Sequence, residues 1–347
     1  MTSGDFKTSY QADMAIFQTP WIKVWMAAFL AFMCYFPFWA GPYLTYVVNL
    51  AAIATIGALG LNLLTGFTGQ ISLGHGAFLA IGAYSAAILT ADAGFPFWLA
   101  LPFAGLITAT SGLIIGIPSL RLKGLYLVMT TLAFSFIVQY VIIKWEGLTR
   151  GSTGMGVPSP RIFGYIIDND RAFYFLIMPI AAIGLIYARN IIRTKVGRAW
   201  VAIRDRDISA EIMGVNLTKY KIMSFFISSF YAGVAGGLYG YYITDISPEH
   251  FPLTLSIDYL AMIIIGGMGS ILGSVFGAMF VTMLPEGIRI AADVFGTQYP
   301  LLVDRFFELK VMAFGIAIIL FLMFEPAGIY GRWVKTKIYY KLWPFTY

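Results

Sequence analysis

The sequence predicts an all-α polytopic membrane protein with about ten transmembrane helices and two interrupted segments. Three observations predict it. Hydrophobic residues make up 59% of the 347 and charged ones 12%, with mean hydropathy +0.79; soluble domains carry about twice that share of charge. Apolar runs long enough to cross lipid, or nearly so, recur along the chain between glycine and proline breakers. Lys and Arg fall between those runs or at their ends, the signature of membrane orientation. The net charge of +6 is therefore read as orientation, and nucleic-acid binding is set aside.

The first run begins near Ile22 and ends in Phe38, Trp39 and Ala40, too bulky for a signal-peptide cleavage site, so it is read as a retained helix. Spans are predicted at 22–40, 43–64, 76–91, 97–117, 124–143, 173–188 and 222–243. Three more follow at 257–267, 270–284 and 309–324. Residues 1–21 are expected to form an N-terminal cytoplasmic segment, 22–330 the transmembrane permease domain, and 331–347 a basic, aromatic cytoplasmic tail. Cys34 is the single cysteine, which rules out an intramolecular disulfide and a cysteine metal cluster.

Orientation follows from the basic loops. The stretch 189–221 carries Arg189, Arg193, Lys195, Arg198, Arg204, Arg206, Lys219 and Lys221 against Asp205, Asp207 and Glu211. Arg121 and Lys123 mark 119–123, and Arg332, Lys335, Lys337 and Lys341 mark the tail, so all three are expected in the cytoplasm. An even number of crossings between 189–221 and the tail requires 257–267 and 270–284 to be separate passes turning at Gly266, Gly267 and Gly269. Eleven residues of helix rise only about 17 Å, so this turn is expected at membrane depth, where irregular backbone must be buried in protein or line a cavity. The uncharged stretch 65–76, with Gly69, Gly74 and Gly76, has the same character. Paired interruptions often mark a transport path.

Asn62, Gln70, Ser72 and His75 are the candidates for that path, with Ser135 and Gln139 behind them. The alternative role for each is to satisfy backbone groups where a helix is broken. His75 is open to two readings, a proton relay or substrate contact on the one hand and a neutral histidine bonded to a neighbour on the other, and no carboxylate lies nearby in sequence. Small residues four apart, such as Gly112 and Gly116, Gly233 and Gly237, or Gly269, Gly273 and Gly277, predict close helix packing.

Absences narrow the chemistry. No lysine follows a glycine anywhere, so the chain has no phosphate-binding loop and cannot hydrolyse ATP by that route. An ion-coupled carrier would place charges within its spans, and a membrane enzyme would cluster nucleophiles, acids or metal ligands; neither pattern is present. Energy is expected from a partner. Within 189–221, Asp205 or Asp207 can cap a short helix that Gly214 ends, with Ile208, Ile212 and Met213 on one face. Periodicity alone leaves two uses open, resting on lipid or docking into a soluble partner.

The ordered set of motifs is similar to a known family. Gly60, Asn62 and Gly66, then Gly69, Gln70, Ser72, Gly74, His75, Gly76 and Phe78, then Gly82 and Tyr84, resemble the permeases of branched-chain amino-acid ABC importers. So do Gly197, Arg198 and Trp200, then Arg204, Asp205, Ala210, Glu211, Gly214 and Asn216. Gly266–Ser270, Pro285 with Glu286, and Glu325, Pro326 and Gly328 complete a pattern close to the LivM branch, over residues 40–330. The resemblance implies a type II-like importer permease that pairs with a second, LivH-like permease and sits on two cytoplasmic ABC ATPases. A periplasmic binding protein would deliver substrate across the bacterial inner membrane. ATP would be bound by the partners, and this chain would hold no cofactor or metal. Arg198, Arg204, Asp205, Asp207, Ala210, Glu211 and Gly214 would serve ATPase docking. Branched-chain or other small neutral amino acids are the expected substrate, with urea, short amides and aromatic acids as alternatives within the same importer type, and a self-contained secondary carrier or channel as the alternative outside it.

Overall fold

The computed structural model describes residues 20–295, apart from 121 and 163, and then 312, 315, 316, 318–321, 323–325 and 327–342. The described residues are mostly helical. In order come α1 (Pro20–Trp39), α2 (Pro42–Leu61), α3 (His75–Ala91), α4 (Phe97–Ser119), α5 (Leu125–Lys144) and a single turn, α6 (Glu146–Thr149). Then follow α7 (Asp170–Arg193), α8 (Lys195–Ile212), α9 (Leu217–Ile243), α10 (Leu253–Gly266), α11 (Ile271–Phe295) and α12 (Gly328–Leu342). Nine of the ten predicted spans coincide with α1–α5, α7 and α9–α11; the tenth, at 309–324, lies largely outside the described residues. Among the described residues six helices are long and apolar enough to cross a membrane by length and composition, namely those within 42–66, 97–118, 125–144, 170–193, 217–243 and 271–290.

Burial runs opposite to that of a soluble bundle. α2 and α9 are central and pack on one another, with α3 and α4 against α9, and α7, α10 and α11 against α2. The inner faces hold Leu59, Phe78, Tyr241 and Ile263, but also Thr55, Asn62, Thr108, Ser228 and Ser274. Outward faces are apolar: Ile114 and Ile117 on α4, Phe136 and Ile137 on α5, Ile183 and Ile186 on α7. Such a surface suits hydrocarbon, which offers no partner to polar groups, and several buried hydroxyls accordingly bond back to their own helices. Thr55 donates to the Ala51 carbonyl, Thr108 to Ala104 and Ser229 to Phe225, each within 2.9 Å.

The predicted small-residue ridges are contact lines. A Cβ on Gly82 of α3 would run into the backbone of Gly233 on α9, and one on Gly233 would meet Thr108 of α4 at 2.6 Å. Away from α8, the bundle is tied by a two-residue antiparallel pairing of β1 (Met155–Gly156) with a strand at Asp245–Ile246.

The stretch 189–221 differs from the predicted loop with one short helix. α7 runs on to Arg193, α8 fills Lys195–Ile212 and α9 starts at Leu217, so almost no irregular backbone is left. α8 is polar enough to be missed by an apolar-run search, and the predicted short helix is only its second half. At Arg206, φ −158° and ψ 104° break the helix in two.

Candidate functional site

The two interruptions meet. α2 ends in a π-helical turn, Asn62–Gly66, and the chain stays irregular from Gly69 to Gly74 before α3 begins. π turns are rare and concentrate at functional positions. The second break, Gly267–Ser270 between α10 and α11, lies against it. Asn62 joins them with all its bonding capacity on that side: Nδ2 donates to the Ser270 carbonyl at 2.7 Å and to Ser274 Oγ at 2.8 Å, while Oδ1 accepts from the Gly269 N–H at 2.9 Å. Gly69 and Gly269 each have φ +75°, a left-handed conformation that an L side chain resists.

The other predicted polar residues secure the first turn. His75 Nε2 donates to the Gly57 carbonyl at 2.9 Å, and its ring packs edge-on against Tyr259. A carbonyl can only accept, so Nε2 carries the proton, an arrangement that suits a neutral imidazole. Ser72 Oγ accepts from the Gly74 N–H at 3.2 Å, and Gln70 Nε2 donates to Ser224 Oγ at 2.8 Å. Ser135 and Gln139 stand apart, lining a crevice of about 10 Å³ with Ala77, Ala80, Pro248 and Phe251.

Three residues that the sequence did not single out complete this stitching. Thr131 Oγ1 accepts from the Leu73 N–H at 3.0 Å, Ser256 Oγ from the Gly76 N–H at 2.8 Å, and Ser224 holds Gln70. Their sequence signal is a hydroxyl inside an apolar span, which does not distinguish them from Thr108, bonded only to its own helix.

α8 lies at the same end of the bundle as these turns. Its first half is anchored by Trp200, fully buried, whose Nε1 donates to the Tyr220 carbonyl at 2.9 Å. Gly197 and Arg198 belong to this half, and a Cβ at Gly197 would meet the Ile192 backbone. Arg204 points back into the bundle, donating from Nη1 to the Gly66 carbonyl at 2.9 Å, and pairs with Asp205 at 3.3 Å. After the Arg206 kink, Asp207 takes the ammonium of Lys123 and, at 3.8 Å, that of Lys221. The Lys123 hydrogen bond comes first in holding the Asp207 carboxyl below the ordinary carboxylate range. Ala210 is buried, whereas Ile208, Ile212 and Met213 are 67%, 81% and 84% exposed. Gly214, at φ +86°, ends the helix: its N–H donates to the Glu211 carbonyl and the Val215 N–H to that of Ala210, the paired bonds of a Schellman cap. Among the described residues no group of His, Cys, Asp and Glu is placed to hold a metal ion.

The family described as branched-chain amino acid transport system / permease component matches residues 43–323, which include both breaks, α8 and all the side chains above. The chain belongs to that family. Among its relatives, the high-affinity branched-chain amino acid transport system permease protein LivM of Salmonella typhimurium is 30% identical over 331 residues, covering 88% of this chain and 74% of LivM. BraD of Pseudomonas aeruginosa, also a branched-chain permease protein, is 27% identical over 84% of this chain and 96% of its own. LivH of Escherichia coli is 25% identical over 82% and 93%. No solved structure matches. This permease family consists of membrane-embedded transport subunits that are not themselves enzymes, which agrees with the apolar outer surface and the missing phosphate loop.

Proposed function

We propose that this chain is a permease subunit of an ATP-driven ABC importer that moves small neutral amino acids, branched-chain ones first among them, received from an external binding protein. It works in the bacterial inner membrane beside a second, LivH-like permease and above two cytoplasmic ATPases. Ten spans in a type II-like arrangement put both termini, α8 and Lys123 in the cytoplasm, and Met155 and Tyr165 outside. Asn62, Gln70, Ser72 and His75 flank the route of the solute.

One observation carries this reading. The second half of α8 ends the bundle with three exposed apolar side chains, on a chain whose sequence has no phosphate-binding loop. Work must then enter through a contact, and an apolar helix face with charged edges fits a groove in a soluble partner. Asp207, Glu211 and the Gly214 cap shape that face, Arg198 and Asp205 stand on the half before the break, and Arg204 links it to the turns. The names of LivM, BraD and LivH favour branched-chain amino acids as cargo. Co-expression with candidate ATPases and the second permease, followed by leucine uptake into vesicles, tests the reading. Stable purification without those partners, with uptake driven by an ion gradient, would overturn it.

A further inference from the structure

We infer that the cavity between α8, Lys123 and the Gln70 turn is a cytoplasmic binding site for a free aliphatic α-amino acid, an inference that rests on the importer reading above. The cavity measures about 540 Å³, within the usual range of small-molecule sites. Its walls are chemically distinct. On one, Lys123 and Lys221 share the single carboxylate of Asp207, and Lys221, only 7% exposed, stands 3.8 Å from it, beyond a good hydrogen bond. Two ammonium groups on one carboxylate leave net positive charge beside a buried chain, which a ligand carboxylate would neutralise.

Gln70 supplies the second requirement. The Ser224 hydroxyl donates to the Lys221 carbonyl at 2.7 Å, so its proton is committed and its oxygen must accept from Gln70. That fixes Nε2 toward Ser224 and leaves Gln70 Oε1 as a buried acceptor with no partner, in a residue 5% exposed that lines the cavity. A buried acceptor left unpaired is costly, and an ammonium donor would satisfy it. Leu127 and Ile203, both buried, add aliphatic surface to a lining that also holds the Arg204–Asp205 pair, Arg206 and Ser209. Carboxylate, ammonium and an aliphatic side chain, held together at one carbon, define the ligand class. Because Asp207 opens the docking half of α8, a bound amino acid would also contact that helix.

The test uses the assembled importer in lipid nanodiscs without its binding protein, titrated with L-leucine, with 4-methylpentanoate, which lacks the amino group, and with 3-methylbutylamine, which lacks the carboxylate. Leucine should bind saturably, and each half-ligand about tenfold or more weaker, as loss of a charged hydrogen bond implies. Lys123→Met, at an exposed side chain, and Leu127→Trp, which fills the cavity, should each weaken leucine binding by about tenfold or more. Importer that takes up leucine yet binds none without the binding protein would overturn the site and leave the function intact. Equal binding of both half-ligands, or leucine binding unchanged in both variants, would overturn it too. Leucine bound with these preferences by an importer that does not transport it would uphold the site while defeating the substrate reading.

Discussion

Arg204 Nη1 donates to the Gly66 carbonyl at 2.9 Å, tying the helix that faces outward from the bundle to the π turn at its interior. The same side chain fills the space beside both left-handed glycines. A Cβ on Gly69 would lie 3.1 Å from Arg204 Cγ, and one on Gly269 would lie 2.8 Å from Nη1. A single guanidinium thus touches both interruptions, one residue ahead of the Asp205–Arg206 kink.

If that contact transmits motion, Arg204→Ala should uncouple the importer without undocking it. The expected result is normal ATPase co-purification with leucine uptake lowered about tenfold or more, the scale of a hydrogen bond from a charged group. Arg204→Lys keeps the charge and one donor and should recover part of the uptake. Co-purification falling in step with uptake would make Arg204 a docking residue instead.

Asn62 invites a stability prediction. Replacing it with Ala leaves the Gly269 N–H unpaired at a buried junction, at a cost of about 1–3 kcal/mol, while the Ser270 carbonyl keeps the Ser274 N–H. Thermal unfolding of the purified complex should shift down by several degrees, and Ser274→Ala, which removes one of three bonds, should shift it less. Equal melting of wild type and Asn62→Ala would mean that the two breaks are held together by other contacts.

Much of this was legible in the sequence, and the reason differs by element. Spans such as 97–117 were visible because apolar length is a one-dimensional property, and α4 occupies that stretch. Gly69 and Gly269 could be paired as echoes, but only the fold brings them to one arginine, because that contact joins residues 65 and 135 positions apart in the chain. α8 was underestimated, since a polar helix leaves a weak periodic signal. Thr131, Ser224 and Ser256 were illegible because a hydroxyl in an apolar span looks the same whether it bonds its own helix or another.

The packing of α3 on α9 gives a prediction with an internal control. Gly82→Val places branched bulk against the Gly233 backbone, where neither helix can retreat, and should reduce folded protein in the membrane severely. Gly287→Ala in α11 meets nothing within 4 Å and should be neutral or gain up to about 1 kcal/mol. Membrane levels and melting temperature read both. A well-folded Gly82→Val would show that the crossing is looser than its geometry.

Topology can be read from single cysteines in a Cys34→Ala background. Tyr165→Cys, exposed between α5 and α7, should react with an impermeant maleimide added outside intact cells, and Lys337→Cys on α12 only after permeabilisation. Labelling of residue 337 from outside would remove the ten-span arrangement.

The docking face itself rests on the Gly214 cap. Two backbone bonds close there, from Gly214 to Glu211 and from Val215 to Ala210, and they require the positive φ that Gly214 adopts. No atom lies within 4 Å of a Cβ built on Gly214, so any penalty of substitution comes from backbone conformation, about 1 kcal/mol for Ala and more for a β-branched residue. Gly214→Ala should therefore loosen the last turn and lower uptake modestly, while Gly214→Val should abolish it at normal membrane levels. Ile212→Asp leaves the cap in place but puts charge on a side chain that is 81% exposed in the isolated chain. If that face is covered by an ATPase, Ile212→Asp should release the ATPase during purification even though the cap is unbroken. Should Gly214→Val and Ile212→Asp together sustain full uptake, the exposed apolar face rests on lipid, and the force that opens the pore enters elsewhere.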